Sequence, residues 1–469
     1  VQPRAWLSRY QAVEWLCAAG LGAAGRQHEM LVVTSNWSIP DGTLYRPLPM
    51  GRADHFLSAV QRAALRFGFR RDGTYRPITQ IDLVLAGDTS DWLVSREWTQ
   101  KVRPWQGGSR TTEIFQRVAS SSLRSGARFF ARLSRLVRRG IALPKPDKRS
   151  RPDPRASQPT PVRVTLLSGD RDRWLGHPMV APLAVGHCLA IGTSWSSRSV
   201  IVCHGDTADP LLGGSHCQPS QERFGDATAL TSDRQPTLAE SLAVDLLARF
   251  GVAIFEQRDL QIRLAALLRR MATGWPLDMP GQLAAWLTAP GTGELLDSGA
   301  KKFVLDTWQR AVGHWHREAR RVDPCGDLEC DSLDRLADWM SCIEGPKTTE
   351  FSVSRLHELL DPNVFPLTDR CVPENQHAEA NRPLRTVVLG HPPAERSLSA
   401  MVGQRSTVCL GGPRLPFSTE SLALHRTDGV AVSCVVPSGE RIHCDQPAAI
   451  ALLDSDAEKD GYGGVDFIS

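Results

Sequence analysis

Short, nearly continuous apolar runs recur along this chain, and each one stops at a polar cluster. Residues 31–33, 81–86, 162–167, 200–203 and 386–389 are rich in β-branched side chains and show little polar alternation. Runs of that kind predict strands buried on both faces. Helical periodicity lies between several of them, for example over 53–67, so the pattern predicts an α/β fold with functional loops at the strand C-termini.

Two stretches interrupt the scheme. Over 117–139 the spacing predicts a single helix with Arg124, Arg128, Arg132, Arg135 and Arg139 on one face and Phe129, Leu133, Leu136 and Val137 on another. The Pro-, Lys- and Arg-rich segment "PKPDKRSRPDPRASQPTP" that follows, to residue 161, predicts a flexible linker. A basic amphipathic helix can lie on an anionic membrane surface or guide an anionic substrate. Its plainer reading is a solvated arginine face above an apolar face that packs on the core.

The second interruption, 237–379, is mainly helical and reads as a cap, with polar starts ahead of periodic runs such as "TLAESLAVDLLARF". After Gly390 short strands return in "STVCLGG", "GVAVSCVVP" and "AAIALLD", which would complete the interrupted sheet. The expected organisation is an N-terminal extension at 1–29, a first core segment at 30–236 carrying the basic helix and linker (117–161), a helical insertion at 237–379, and final strands at 380–469.

Composition narrows this only a little. With 469 residues and 41% hydrophobic content the chain can bury a large core, and no apolar run approaches the roughly 20 residues that cross a bilayer as a helix. The eleven cysteines are scattered, which points to a reduced, cytoplasmic chain. Cys325, Cys330 and Cys342 form the one local cluster, without the second pair that a structural zinc module uses. No GxxxxGK[ST] or GxSxG motif is present. The basic helix lacks the interleaved aromatics of single-strand readers, so no specific nucleic-acid recognition is expected.

The strand ends carry the candidate chemistry. In order they present Asn36 and Ser38 in "TSNWSI", Asp88 and Asp91 in "GDTSD", Asp170 to Asp172 in "GDRD", His204 and Asp206 in "CHGD", and His391 in "LGHPP". This series resembles the calcineurin-like metallophosphoesterases, which carry DxH, GDxxD, GNHD/E, a lone His and GHxH at successive strand ends. The branch that hydrolyses UDP-2,3-diacylglucosamine is nearest in flavour. It too has Arg for the His of GNHD, an "HGD" at the fourth motif and a helical insertion before the fifth.

The resemblance implies a layered α/β/β/α sandwich and a metal centre at which bound water is activated against a phosphoester. Carried over, Asp88 is the bridging carboxylate, and Asp170, His204 and His391 complete one metal site. Asn36, Ser38 and Pro393 stand where the other site has Asp, His and His, and amide, hydroxyl and proline are poor or absent ligands. The implied cofactor is therefore one divalent transition ion (Mn, Fe or Zn). Arg171 would contact the phosphate and His204 would serve catalysis as well as the metal.

Asp91 would support the loop behind Asp88, and Asp172 and Asp206 would support it or cap turns. His204 has the alternative of a satisfied core histidine, and Trp92, Trp174 and Trp195 either pack the rim or stack on a ligand. Three readings remain: a mononuclear phosphoester hydrolase, an inactive pseudoenzyme of the same fold that binds a phosphorylated ligand or partner, and an unrelated α/β protein with acidic loops. For the first two the expected ligand is a phosphorylated small molecule or a lipid-linked phosphate, with peripheral membrane contact through 117–139.

Overall fold

The structure, a computed structural model, describes residues 29–47, 50–69, 73–100, 102–180, 186–197, 200–206, 236–274, 276–289, 296–322, 330–343, 386–394, 398–402, 405–411, 432–436 and 464–466. All five apolar runs are strands. The first half of the chain supplies β1 (Glu29–Thr34), β2 (Ile39–Pro40), β3 (Gln80–Ala86), β4 (Ser90–Asp91), β5 (Ile141–Pro146), β6 (Pro152–Thr160) and β7 (Val162–Leu167). Beyond them come β8 (Ala190–Gly192), β9 (Ser194–Ser197), β10 (Val200–Cys203), β11 (Thr386–Ala394), β12 (Leu398–Val402), β13 (Arg405–Gly411), β14 (Val432–Val436) and β15 (Gly464–Asp466).

The fold is mixed α/β with parallel pairing at the centre of two sheets. One sheet has the order β15-β14-β1-β3-β7-β8 and the other β12-β13-β11-β10-β9. β1, β3, β7 and β8 run parallel, as do β10, β11 and β13. The returning strands β13 and β14 thus complete one sheet each, while "AAIALLD" lies outside the described residues.

The sheets meet face to face. Side chains alternate across a strand, so Leu31, Val33, Val84, Ala86 and Leu167 of the first sheet cluster with Val202 and Val388 of the second. The alternate set, including Met30, Val32, Leu83, Leu85 and Leu166, faces a helical layer. Burial on both faces is the reason these strands read as continuous apolar runs.

That layer begins with α1 (Met50–Phe67), α2 (Ser109–Ser125) and α3 (Ala127–Arg139). The single helix expected over 117–139 is a correction: the chain breaks between α2 and α3 at buried Gly126. A Cβ there would lie 2.8 Å from Ile39 and 2.9 Å from Phe130. The apolar face of α3 is committed to the core, with the Phe129 ring 4.5 Å from that of Trp37.

The expected linker is also a correction. Residues 141–160 form the hairpin of β5 and β6. Ile141, Leu143 and Thr160 are buried, and the Asp147 carboxylate accepts the backbone N–H groups of Arg149 and Arg151 to fix the turn. Proline is tolerated because a two-stranded ribbon leaves half of its backbone positions outside the ladder.

The helical insertion comprises α4 (Leu238–Ser241), a π-type segment (Leu242–Ala248), α5 (Arg249–Phe255), α6 (Arg258–Thr273), α7 (Met279–Thr288), α8 (Ser298–Val322) and α9 (Cys330–Ser341). Thr237 and Glu240 form a capping box at its start. Glu240 is fully buried and also pairs with Arg173 at 3.3 Å, and Asp245 pairs with Arg103 at 2.6 Å. The insertion is therefore tied to the segments that follow β7 and β4. Its expected end at 379 lies outside the described residues, as does the N-terminal extension expected at 1–29 apart from Glu29, which opens β1. Among those described, no helix is long and apolar enough to cross a membrane.

Candidate metal centre

Parallel register brings the strand ends to one edge. Thr34 pairs with Leu85 and Ala86 with Leu167 in the first sheet, and Cys203 pairs with Leu389 in the second. The polar residues that follow each strand therefore converge where the two sheets meet, the usual location of sites in open α/β sheets.

Asp88 follows β3 through Gly87, whose φ of +88° suits glycine and whose Cβ position would overlap the His204 ring. Asp88 itself holds φ 53°, as Asn36 (56°) and Ser38 (45°) do on the neighbouring strand end. The two loops are stitched by the Ser38 N–H to the Asp88 carbonyl at 2.8 Å and by β2 pairing with β4. Left-handed backbone at three non-glycine residues is the local strain that clusters at functional sites.

His204 is buried, and its Nδ1 donates to the Ala86 carbonyl at 2.9 Å, which turns Nε2 toward the carboxylates. Nε2 lies 2.9 Å from Asp170 Oδ1 and 3.5 Å from Asp88 Oδ2. One donor atom from each of Asp88, Asp170 and His204 falls within 4.8 Å of the others, and their residues are only 4, 6 and 1% exposed. A histidine held by a backbone carbonyl through one nitrogen and aimed by the other is how metal-binding imidazoles are oriented.

The remaining acids are held from behind. Asp172 accepts the backbone N–H groups of Gly169 (2.8 Å), Ser90 (3.0 Å) and Asp88 (3.3 Å). Asp91 accepts those of Leu93 and Val94, the Tyr45 hydroxyl at 2.6 Å, and Arg171 Nη1 at 3.1 Å. Asp206 is half-buried and stands outside the donor group.

Charge placement shifts the proton affinities. Burial and the neighbouring Asp170 charge push the Asp88 carboxyl well above its ordinary value. Burial raises Asp172 to about 6 against its backbone donors. For His204 burial works downward, but the Asp88 charge and the Asp170 hydrogen bond outweigh it and hold the imidazole well above its usual value.

Arg171, expected at the phosphate, is 5% exposed: its Nη1 donates to Asp91 at 3.1 Å, its Nε lies 4.0 Å from Asp88, and its backbone N–H donates to Asp88 Oδ1. A buried carboxylate needs a counter-charge, and Arg171 supplies it. Trp92 and Trp174 are buried against Phe115, and Trp195 packs beside the inter-sheet cluster, so these rings are part of the packing.

Asn36 donates to the Gly390 carbonyl at 2.8 Å and to Ser35 Oγ at 3.0 Å, which uses its amide to join β1 to β11. His391 and Pro393 lie in β11, whose Leu389 pairs with Cys203 at the end of β10, but their side chains are outside the described residues. Cys342 is an exposed free thiol, and Cys325 lies outside the described residues. Sequence reasoning missed Tyr45, which sits in a loop with no periodic or motif signal and reaches Asp91 only through the fold.

The donor set fits a cation. Asp88, Asp91, Asp170 and Asp172 are four buried carboxylates, while Arg171 and His204 are the cationic groups among them. Backbone amides answer Asp172, but Asp88 and Asp170 crowd each other around one imidazole. No protein-family model matches the chain, and no curated protein matches it.

Proposed function

We propose that the chain is a metal-dependent phosphoester hydrolase of the calcineurin-like type with a reduced, mononuclear centre. The observation that carries this reading is the convergence of Asp88, Asp170 and His204, drawn from three strand ends of two sheets, on one buried point. Two carboxylates and an imidazole suit Mn, Fe or Zn, and His391 is the fourth ligand that the motif order proposes. Such an ion supplies Lewis-acid polarisation of a phosphoryl oxygen and a bound water of lowered pKa. The chain's own residues orient His204 through Ala86, hold Asp88 through the Arg171 amide, and neutralise Asp91 through the Arg171 side chain.

The substrate class is a phosphorylated small molecule or lipid-linked phosphate. A binding protein of the same fold that does not turn its ligand over is the second reading. It is favoured by the Asn36 amide, which bonds the Gly390 carbonyl where the resemblance has a metal-binding carboxylate, and by the inward Arg171. Hydrolysis of chromogenic phosphomonoesters and phosphodiesters, with manganese supplied or chelated, separates the two. Turnover that needs the metal and is lost in Asp88→Ala and His204→Ala is expected. Metal binding without turnover would replace the hydrolase by the binding protein.

A further inference from the structure

The chain's positive charge is concentrated in one place. Of the forty residues from Arg124 to Arg163, twelve are Arg or Lys and two are Asp, against +4 for the whole chain, so the rest of the protein is net acidic. Ten of those twelve are arginine, whose planar fork suits phosphate oxygens.

The fold places these residues on a continuous stretch of surface. Arg128, Arg132, Arg135 and Arg139 recur at helical spacing on α3, opposite the buried Phe129, Phe130, Leu133 and Leu136. The chain then passes directly into the β5–β6 hairpin, which carries Lys145, Lys148, Arg149, Arg151 and Arg155 on exposed positions. α1 touches both elements, through Asp54 to Arg132 at 3.2 Å and through Gln61 to the Ala142 carbonyl at 3.0 Å. Arg62 and Arg66 on its exposed side extend the same charge. Among the described residues no carboxylate pairs with Arg128, Arg135 or Arg139.

We propose that α3 and the β5–β6 hairpin form a docking track for the phosphate backbone of double-stranded nucleic acid, without sequence preference. α3 alone spans about 20 Å, a length over which a duplex carries on the order of ten phosphate charges. Two observations select the duplex. A single-strand reader needs exposed aromatic platforms, and among the described residues Phe69, tilted on Tyr75, is the one exposed large apolar side chain. A bilayer-seated amphipathic helix needs a free apolar face, and that of α3 is buried in the core. Charge arrayed over a helix and a ribbon, with Phe69 beside the hairpin as the one exposed large ring among the described residues, matches backbone recognition and not a row of stacking platforms.

The track does not depend on the metal centre, so it is tested with chelator present. Full-length chain is titrated against a labelled duplex of roughly two helical turns across a salt series, in parallel with phosphatidylserine vesicles. The four-site variant Arg128→Gln, Arg135→Gln, Arg139→Gln and Arg149→Gln is compared with the charge-matched control Lys301→Gln, Lys302→Gln, Arg310→Gln and Arg317→Gln on α8. The expected result is duplex binding whose log-affinity slope against log salt becomes shallower by roughly 4 in the track variant, with affinity down at least on the order of thirtyfold. The control stays within about twofold. Single Arg128→Gln and Arg149→Gln variants, each lowering the slope by about 1, carry the test if the fourfold variant fails to fold. Absence of duplex binding at low salt, an equal loss in the control, or binding to vesicles alone would overturn the proposal.

Discussion

Asp172 shows how much of this site is built from single residues with no ligand role of their own. Its carboxylate terminates three buried backbone N–H groups, from Asp88, Ser90 and Gly169, and so holds the loops after β3 and β7 against each other. Each orphaned buried donor costs about 1–3 kcal/mol, so Asp172→Ala is expected to lower unfolding free energy by at least ~3 kcal/mol in chemical denaturation, and Asp172→Asn by less. The pH dependence has a definite sign. The folded pKa of about 6 lies above the ordinary 3.8. Its contribution to stability is therefore fully present below about pH 4 and is lost as pH rises through about 6. Wild type should lose stability relative to Asp172→Asn across that window. The raised values of Asp88 and His204 act on metal binding in the same sense: protons compete for the donors, so affinity for a divalent ion should weaken from pH 8 to pH 6, with protons released on binding. Calorimetry in two buffers of different ionisation enthalpy reads that release.

At the scale of elements, the strands were the most legible part of the chain because burial on both faces leaves a local signature in the residues themselves. Asp88, Asp170 and His204 were legible for the same reason, since each directly follows a readable strand. The hairpin was not. Its prolines and charges have the composition of a linker, and what makes it a ribbon is packing of Ile141 and Leu143 and the distant contact of Tyr75 with Pro144 and Ser150. The inward turn of Arg171 was equally invisible, because sequence order does not say which carboxylate an arginine meets. The insertion's docking rests on contacts of that kind too. Arg103 and Asp245 are both buried and meet at 2.6 Å, while Arg249 at 3.5 Å and His314 at 3.7 Å approach the same carboxylate at longer range. Arg103→Met is expected to destabilise the protein by roughly 1.5–3 kcal/mol, the cost of losing the shortest charged hydrogen bond to a carboxylate that keeps Arg249 and His314, with the double change Arg103→Met and Asp245→Leu costing no more than the single one. Denaturation curves of the three proteins provide the check.

Taken as a whole molecule, two sheets share one interior and deliver their strand ends to one edge, a helical layer buries the outer face of the first sheet, and the insertion packs on the segments that follow β4 and β7. The candidate metal site depends on that whole arrangement, since β3 and β7 belong to one sheet and β10 to the other. The most direct test is metal content per chain after equilibrium dialysis against manganese at pH 8, for wild type, Asp88→Ala and His204→Ala. One ion per wild-type chain, lost in both variants while their unfolding transitions stay cooperative, is the expected result. A wild-type chain that retains no ion, or variants that retain it in full, would contradict the assignment of Asp88, Asp170 and His204 as its ligands.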